Sequence, residues 1–167
     1  MVKKRLWPFF LIALFFALFQ QSVLPELKLL AFAPFLALTY GRLNFIKALW
    51  ISSLCGLIID LLSSLPFFGF TALNYLLITC FLHRYHRFFS EKSSSLPFLT
   101  FIFSFISTGI QKLFLSLYGV MFPLSFIGGL TDFLMMPIID GIYAFLWFSI
   151  PIILYNPLKI KWFYFLF

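Results

Sequence analysis

The sequence predicts an all-α, polytopic membrane protein with about six transmembrane helices in one integral domain, residues 1–167. Three observations predict it. Of the 167 residues, 63% are hydrophobic and 10% charged, against about 25% charged in an ordinary soluble domain; mean hydropathy is +1.06. The apolar residues form long runs without alternation, as in Phe9-Phe10-Leu11-Ile12-Ala13-Leu14-Phe15-Phe16. A lipid-embedded barrel needs alternation, so helices, which satisfy their own backbone in hydrocarbon, remain. Finally, the basic residues gather in alternate breaks between runs, as the positive-inside rule requires. Six spans of about 20 residues leave only short loops, which excludes a soluble enzyme, a nucleic-acid-binding module and a disordered tail.

Six spans can be read in order. The first runs from Leu6 to Leu24 and ends at Pro25-Glu26. It follows Lys3-Lys4-Arg5 and so resembles a signal peptide, but it is long for one and lacks an A-x-A-like cleavage site, and it reads as a retained anchor. The second, Leu27 to Tyr40, is short and contains Pro34, which leaves open whether it crosses fully. The third is Phe45 to Leu62, the fourth Phe67 to Leu82 and the fifth Leu96 to Tyr118. The last apolar block, Phe122 to Tyr155, is too long for one straight span and predicts an entry segment at Phe122 to Leu130, then a helix bent near Pro137.

With six spans, all of the 12 basic residues except Lys28 and Lys112 fall on one side, together with both termini. That side is expected to be the cytoplasm. Net charge of +7 therefore describes orientation, not a nucleic-acid footprint. Cys55 and Cys80 both lie inside apolar runs and read as free thiols acting as small hydrophobes. The 27 Phe are spread over every span and read as lipid-facing filler.

Polar residues within the spans carry more information. Ser52, Gly56 and Asp60 recur every four residues in the third span, with Ser63 continuing the stripe; Ser104, Thr108 and Lys112 do the same in the fifth, beside Ser107 and Gln111. Thr71, Asn74, Tyr75 and Thr79 mark the fourth, and Gly128, Asp132, Met136 and Asp140 the last. Such stripes are packing faces, where small residues allow close approach and polar ones bond across helices. Ionisable groups at membrane depth face a bundle interior, so Asp60, Lys112, Asp132 and Asp140 form a candidate intramembrane polar cluster. Counting about 1.5 Å per residue puts Asp60, Lys112 and Asp132 in one layer of the outer half, with Asp140 a turn or two deeper. Lys112 is expected to pair with Asp60 or Asp132.

His83, Arg84, His86, Arg87 and Lys92 form a basic stretch at the cytoplasmic end of the fourth span, a candidate docking loop that also touches anionic headgroups. No carboxylate or Cys completes a metal site with the two histidines. There is no H-E-x-x-H, G-x-S-x-G, Walker A or G-x-G-x-x-G. The expectation is a non-enzymatic protein without cofactor or metal.

One segment is distinctive: Gly56-Leu-Ile-Ile-Asp60-Leu-Leu-Ser-Ser-Leu-Pro-Phe-Phe-Gly69, continuing through Ala72-Leu-Asn-Tyr75. It resembles the rod shape-determining MreD family, whose members carry G-x-x-x-D-L-L-S, then a Gly, then a helix bearing Ala-Leu and Tyr. Pro137-Ile-Ile-Asp140-Gly-Ile-Tyr143 looks like the family's closing helix, and the basic start, Pro-acidic break and Pro-containing second span also fit. The family-motif residues are Gly56, Asp60, Gly69, Pro137 and Asp140. The resemblance implies a multi-pass inner-membrane scaffold of the bacterial cell-elongation machinery, acting in cell shape and peptidoglycan synthesis. Implied partners are an MreC-like membrane protein, an MreB-like filament, and the elongation transpeptidase and glycosyltransferase, within the lipid bilayer. The implied architecture is similar to the S components of energy-coupling-factor transporters, so a substrate-binding subunit of a vitamin-type transporter is the alternative. A carrier should line a hollow with its polar stripes; a scaffold should pack them together.

Overall fold

The computed structural model describes residues 6–23, 29–63, 68–85, 95–117 and 131–153. It is helical, and no strand occurs among the described residues. The helices are α1 (Trp7–Val23), α2 (Ala33–Tyr40), α3 (Phe45–Leu62), α4 (Phe70–Tyr85), α5 (Leu96–Leu117) and α6 (Thr131–Ile153). Three of them, α3, α5 and α6, are long and apolar enough to cross a membrane. The expected entry segment Phe122–Leu130 lies outside the described residues.

Burial departs from that of a water-soluble fold. Trp7, Trp50, Leu61 and Phe68 are each more than 60% exposed, whereas Ser52, Asp60, Asn74, Thr79, Ser104, Ser107 and Asp140 are buried. Exposed apolar surface on this scale is costly in water. In hydrocarbon it costs nothing, and polar or small side chains then hold helices together. The same logic explains α1. Its buried side chains are Ala13 and Ala17, one turn apart, while Leu11, Phe15 and Leu18 point outward. Phe9 stacks on Phe148 at 5.9 Å, and Phe16 packs on Tyr143 and Trp147, which lays α1 along α6.

The second span differs most from expectation. Its helix is only the eight residues Ala33–Tyr40, with Pro34 in the first turn. Eight residues rise about 12 Å, against about 30 Å of hydrocarbon. Every residue of α2 is buried, and it touches α1, α3, α5 and α6. Residues 29–32, which precede it, are not helical. Ala31 and Phe32 are nonetheless fully buried. Irregular backbone at membrane depth is tolerated only where protein encloses it and satisfies its polar groups.

Two other boundaries move. The fourth helix begins at Phe70, not Phe67, and continues through Tyr85. Gly69 precedes it with φ of 87°, a left-handed turn that glycine adopts without penalty and that sets the helix start. In α6 the expected bend at Pro137 takes the form of a changed winding: residues Thr131–Met135 make a wide π-helical turn immediately before the α-helical stretch Met136–Ala144. Proline has no N–H and its ring crowds the carbonyl four residues back; a wider turn relieves both problems without ending the helix. A second π turn follows at Phe145–Ser149.

Candidate functional site

The polar stripes meet in two joints, each built around a carboxylate. In the first, α3 and α4 run antiparallel, and the N-terminal backbone of α4 lies directly on Gly56. A Cβ at Gly56 would stand 2.4 Å from Ala72 Cα, 2.7 Å from Ala72 N and 2.9 Å from the Thr71 carbonyl oxygen. Only glycine permits that approach. One turn on, on the same face, Asp60 accepts the Thr71 N–H at 3.0 Å on Oδ1 and the Ala72 N–H at 3.1 Å on Oδ2. These are among the first four N–H groups of α4, which have no partner within their own helix. A carboxylate there also meets the positive end of the helix dipole. Asp60 thus caps α4 from a neighbouring helix. Tyr75, fully buried, follows one turn later and packs edge-on against Phe103 of α5 at 5.3 Å.

The second joint holds the irregular start of the second span. Asp140 of α6 accepts the Leu30 N–H at 3.0 Å on Oδ1, and the Ser104 hydroxyl of α5 donates to its Oδ2 in a short hydrogen bond. Tyr143, one turn further along α6, donates a long hydrogen bond of 3.4 Å to the Ala31 carbonyl. Two side chains of α6 therefore satisfy backbone groups of residues 29–32. Asp140 lies about 14 Å along α6 from Thr131. Each oxygen of both carboxylates is engaged by a donor from the chain, and the chemistry this suits is locking helices together.

Further cross-links complete the seam. Asn74 donates through Nδ2 to the Ser107 hydroxyl at 2.8 Å, joining α4 to α5, and the Tyr40 and Thr79 hydroxyls bond at 2.9 Å, joining α2 to α4. On the α3–α4 side, Ser52 Oγ, Thr71 Oγ1, Asn74 Oδ1 and the Tyr75 hydroxyl are buried and have no hydrogen-bond partner among the described residues.

The four ionisable residues expected to form one cluster instead engage three sets of partners. Lys112 pairs with Asp132 at 3.1 Å, both about one-third exposed, and its ammonium sits 4.7 Å over the Phe133 ring. Asp60 and Asp140 bind backbone N–H groups. Backbone N–H groups, at the start of α4 for Asp60 and in the unwound segment for Asp140, satisfy a carboxylate with no basic side chain.

The basic stretch is divided. The His83 ring packs against Tyr40 and Phe45, at 6.1 and 5.2 Å, and its Nε2 lies 3.4 Å from the Leu43 carbonyl. It belongs to the α2–α3 turn and not to an outward docking face. Arg84 is exposed; His86, Arg87 and Lys92 lie outside the described residues. Cys55 is buried and Cys80 exposed, both free, so only Cys55 acts as a core residue. Sequence reasoning singled out Asn74, Thr79, Ser104 and Ser107, missed Tyr40, and named Tyr143 only as part of the closing-helix motif. Their signal was present: a tyrosine in an otherwise apolar run needs a partner for its hydroxyl. No protein-family model, curated protein or solved structure matches the chain.

Proposed function

We propose that this chain is a non-enzymatic, multi-pass inner-membrane subunit of the bacterial cell-elongation complex, of the MreD type, with both termini in the cytoplasm. The observation that carries the reading is the α3–α4 joint. Gly56, Asp60, Gly69, Ala72 and Tyr75, the residues on which the family resemblance rests, meet there, and each has a physical duty: close approach, capping, turning, contact and core packing. Asp140, from the closing-helix motif, has a comparable duty in the second joint.

The scaffold reading is favoured over the carrier because polar residues of four helices pair with one another across the bundle. Asn74 meets Ser107, Ser104 meets Asp140, and Tyr40 meets Thr79. What remains for recognition is the lipid-facing sides of the helices and the short loops. An MreC-like protein, an MreB-like filament and the elongation transpeptidase and glycosyltransferase are the proposed partners.

Purification of a tagged chain from membranes in mild detergent should retain wall-synthesis proteins, and depletion in a rod-shaped host should give rounded cells. Normal rods that have lost uptake of one nutrient would overturn the scaffold in favour of the vitamin-type carrier. A terminal tag exposed on the periplasmic side would overturn the orientation.

A further inference from the structure

An apolar groove of about 560 Å³ opens between α1, α2 and α3. That volume falls in the range of small-molecule sites, about 300–1,000 Å³. Its walls include Trp7 and Phe10 of α1, Phe35 of α2, and Ile51, Leu54 and Ile58 of α3. We propose that this groove holds an acyl chain of an anionic membrane phospholipid, with the phosphate at Lys47.

Three features select this occupant. The first is charge. Lys47 is exposed, and it precedes Ile51, Leu54 and Ile58 by four, seven and eleven residues, the spacing of one helix face. The lysine therefore stands at the end of the groove, in line with its apolar wall. Leu6, at the α1 end of the same groove, directly follows Lys3-Lys4-Arg5 in the sequence. A basic residue at the end of an apolar inter-helix groove matches a lipid whose headgroup is negative and whose tail is not.

The second feature is level. Trp7 and Trp50, 67% and 69% exposed, flank that end, and indole rings favour the headgroup region. The tail would then run from the interface toward the bilayer centre along Ile51 to Ile58, which is the way a phospholipid already lies. The third is wall texture. Helices associate in membranes through glycine, alanine and serine, which let backbones come close. These walls are Trp, Phe, Ile and Leu, which keep a helix at a distance but accommodate a flexible chain.

The inference depends on the chain lying in a bilayer and is independent of the elongation role, because its test contains no partner protein. Purified protein in mild detergent is mixed with palmitoyl-oleoyl phosphatidylglycerol or with the phosphatidylcholine of the same chains, and bound lipid is read by native mass spectrometry. Wild type should retain phosphatidylglycerol several-fold better than phosphatidylcholine. Lys47→Gln should bring the two closer together by lowering the first. Leu54→Trp, which fills the groove, should lower both while the protein stays monodisperse; Ile58→Phe serves if the tryptophan variant does not fold. Equal retention of the two lipids by wild type overturns the proposal, as does a preference unchanged by Lys47→Gln. So does a groove-filling variant that folds and keeps its lipid.

Discussion

The two carboxylate joints solve the same problem at different range. Asp60 caps residues 11 and 12 positions away, across the turn between α3 and α4, whereas Asp140 reaches Leu30 across 110 positions. Their partners also differ in kind. Both oxygens of Asp60 face N–H donors that can only donate. Asp140 faces one such donor and the hydroxyl of Ser104, which can also accept. The first joint is made rigid by backbone lying on backbone at Gly56; the second is held by side chains reaching a segment that has no helix of its own. Precise steric fit governs one and hydrogen-bond bookkeeping the other.

The largest break should come from the steric joint. In Gly56→Val the new Cβ meets three backbone atoms under 3.0 Å, none of which can swing away. α3 and α4 must separate, and Asp60 then loses Thr71 and Ala72. Overpacking of this kind costs about 1–3 kcal/mol, and more where the backbone cannot yield. The variant should lose about 4 kcal/mol or fail to accumulate, as read by unfolding in mixed micelles and by membrane abundance.

The sharpest contrast is between two equivalent substitutions. Asp60→Asn places an amide NH₂ against a backbone N–H, donor against donor, and no rotation of the amide avoids it. It should cost about 3 kcal/mol, combining a lost charge-assisted bond with an unsatisfied buried donor. Asp140→Asn can keep its oxygen on Leu30 and donate to the Ser104 oxygen, while the serine turns its proton to a carbonyl of its own helix. Its cost should be near 1 kcal/mol. Equal losses in the two variants would remove the distinction. Ser104→Ala combined with Asp140→Asn should enlarge the second loss and leave the first unaffected.

This difference in range also sets what the sequence could tell. The first joint was legible: Gly56, Asp60, Gly69 and Ala72 lie within one short stretch, and four-residue spacing puts Gly56 and Asp60 on one face. The polar stripes of α3, α4 and α5 were legible for the same reason, since helical periodicity is local. The second joint was not, because nothing near Asp140 names Leu30 as its partner, and the acceptor it needs is a backbone group common to every residue. The shortness of the second span was legible from its short apolar run and Pro34, but the unwinding of residues 29–32 was not, because nothing local marks it. The Asp60 alternative for Lys112 fails because backbone N–H groups satisfy that carboxylate without any basic side chain. The assignment of Lys112 itself, left open between Asp60 and Asp132, needed the antiparallel register of α5 and α6.

A smaller test separates two glycines within the same joint. Gly69 has φ of 87°, yet a Cβ there meets nothing within 4 Å. Gly56 has the opposite problem. Gly69→Ala should therefore cost about 1 kcal/mol, purely from the left-handed conformation. Gly69→Asn should recover part of it, since asparagine tolerates that region better. Neither should disturb the packing of Tyr75 on Phe103, so unfolding in mixed micelles should show no loss beyond that of the turn.

The smallest effect is expected at the ion pair, where neither joint is involved. Lys112 and Asp132 are each about one-third exposed, and the Phe133 ring already attracts the ammonium. Pairs of this kind contribute about 0–1 kcal/mol where water reaches them; where hydrocarbon does, an uncompensated charge costs more. Lys112→Met alone leaves Asp132 without its cation, and Asp132→Leu alone leaves Lys112 with only the ring. The double variant removes both charges and should recover most of either loss. The coupling between the two substitutions measures the environment: near 0.5 kcal/mol if the pair lies in the wet headgroup layer, and about 3 kcal/mol if it lies within the hydrocarbon. A coupling at the upper end would place Asp132 below the interface.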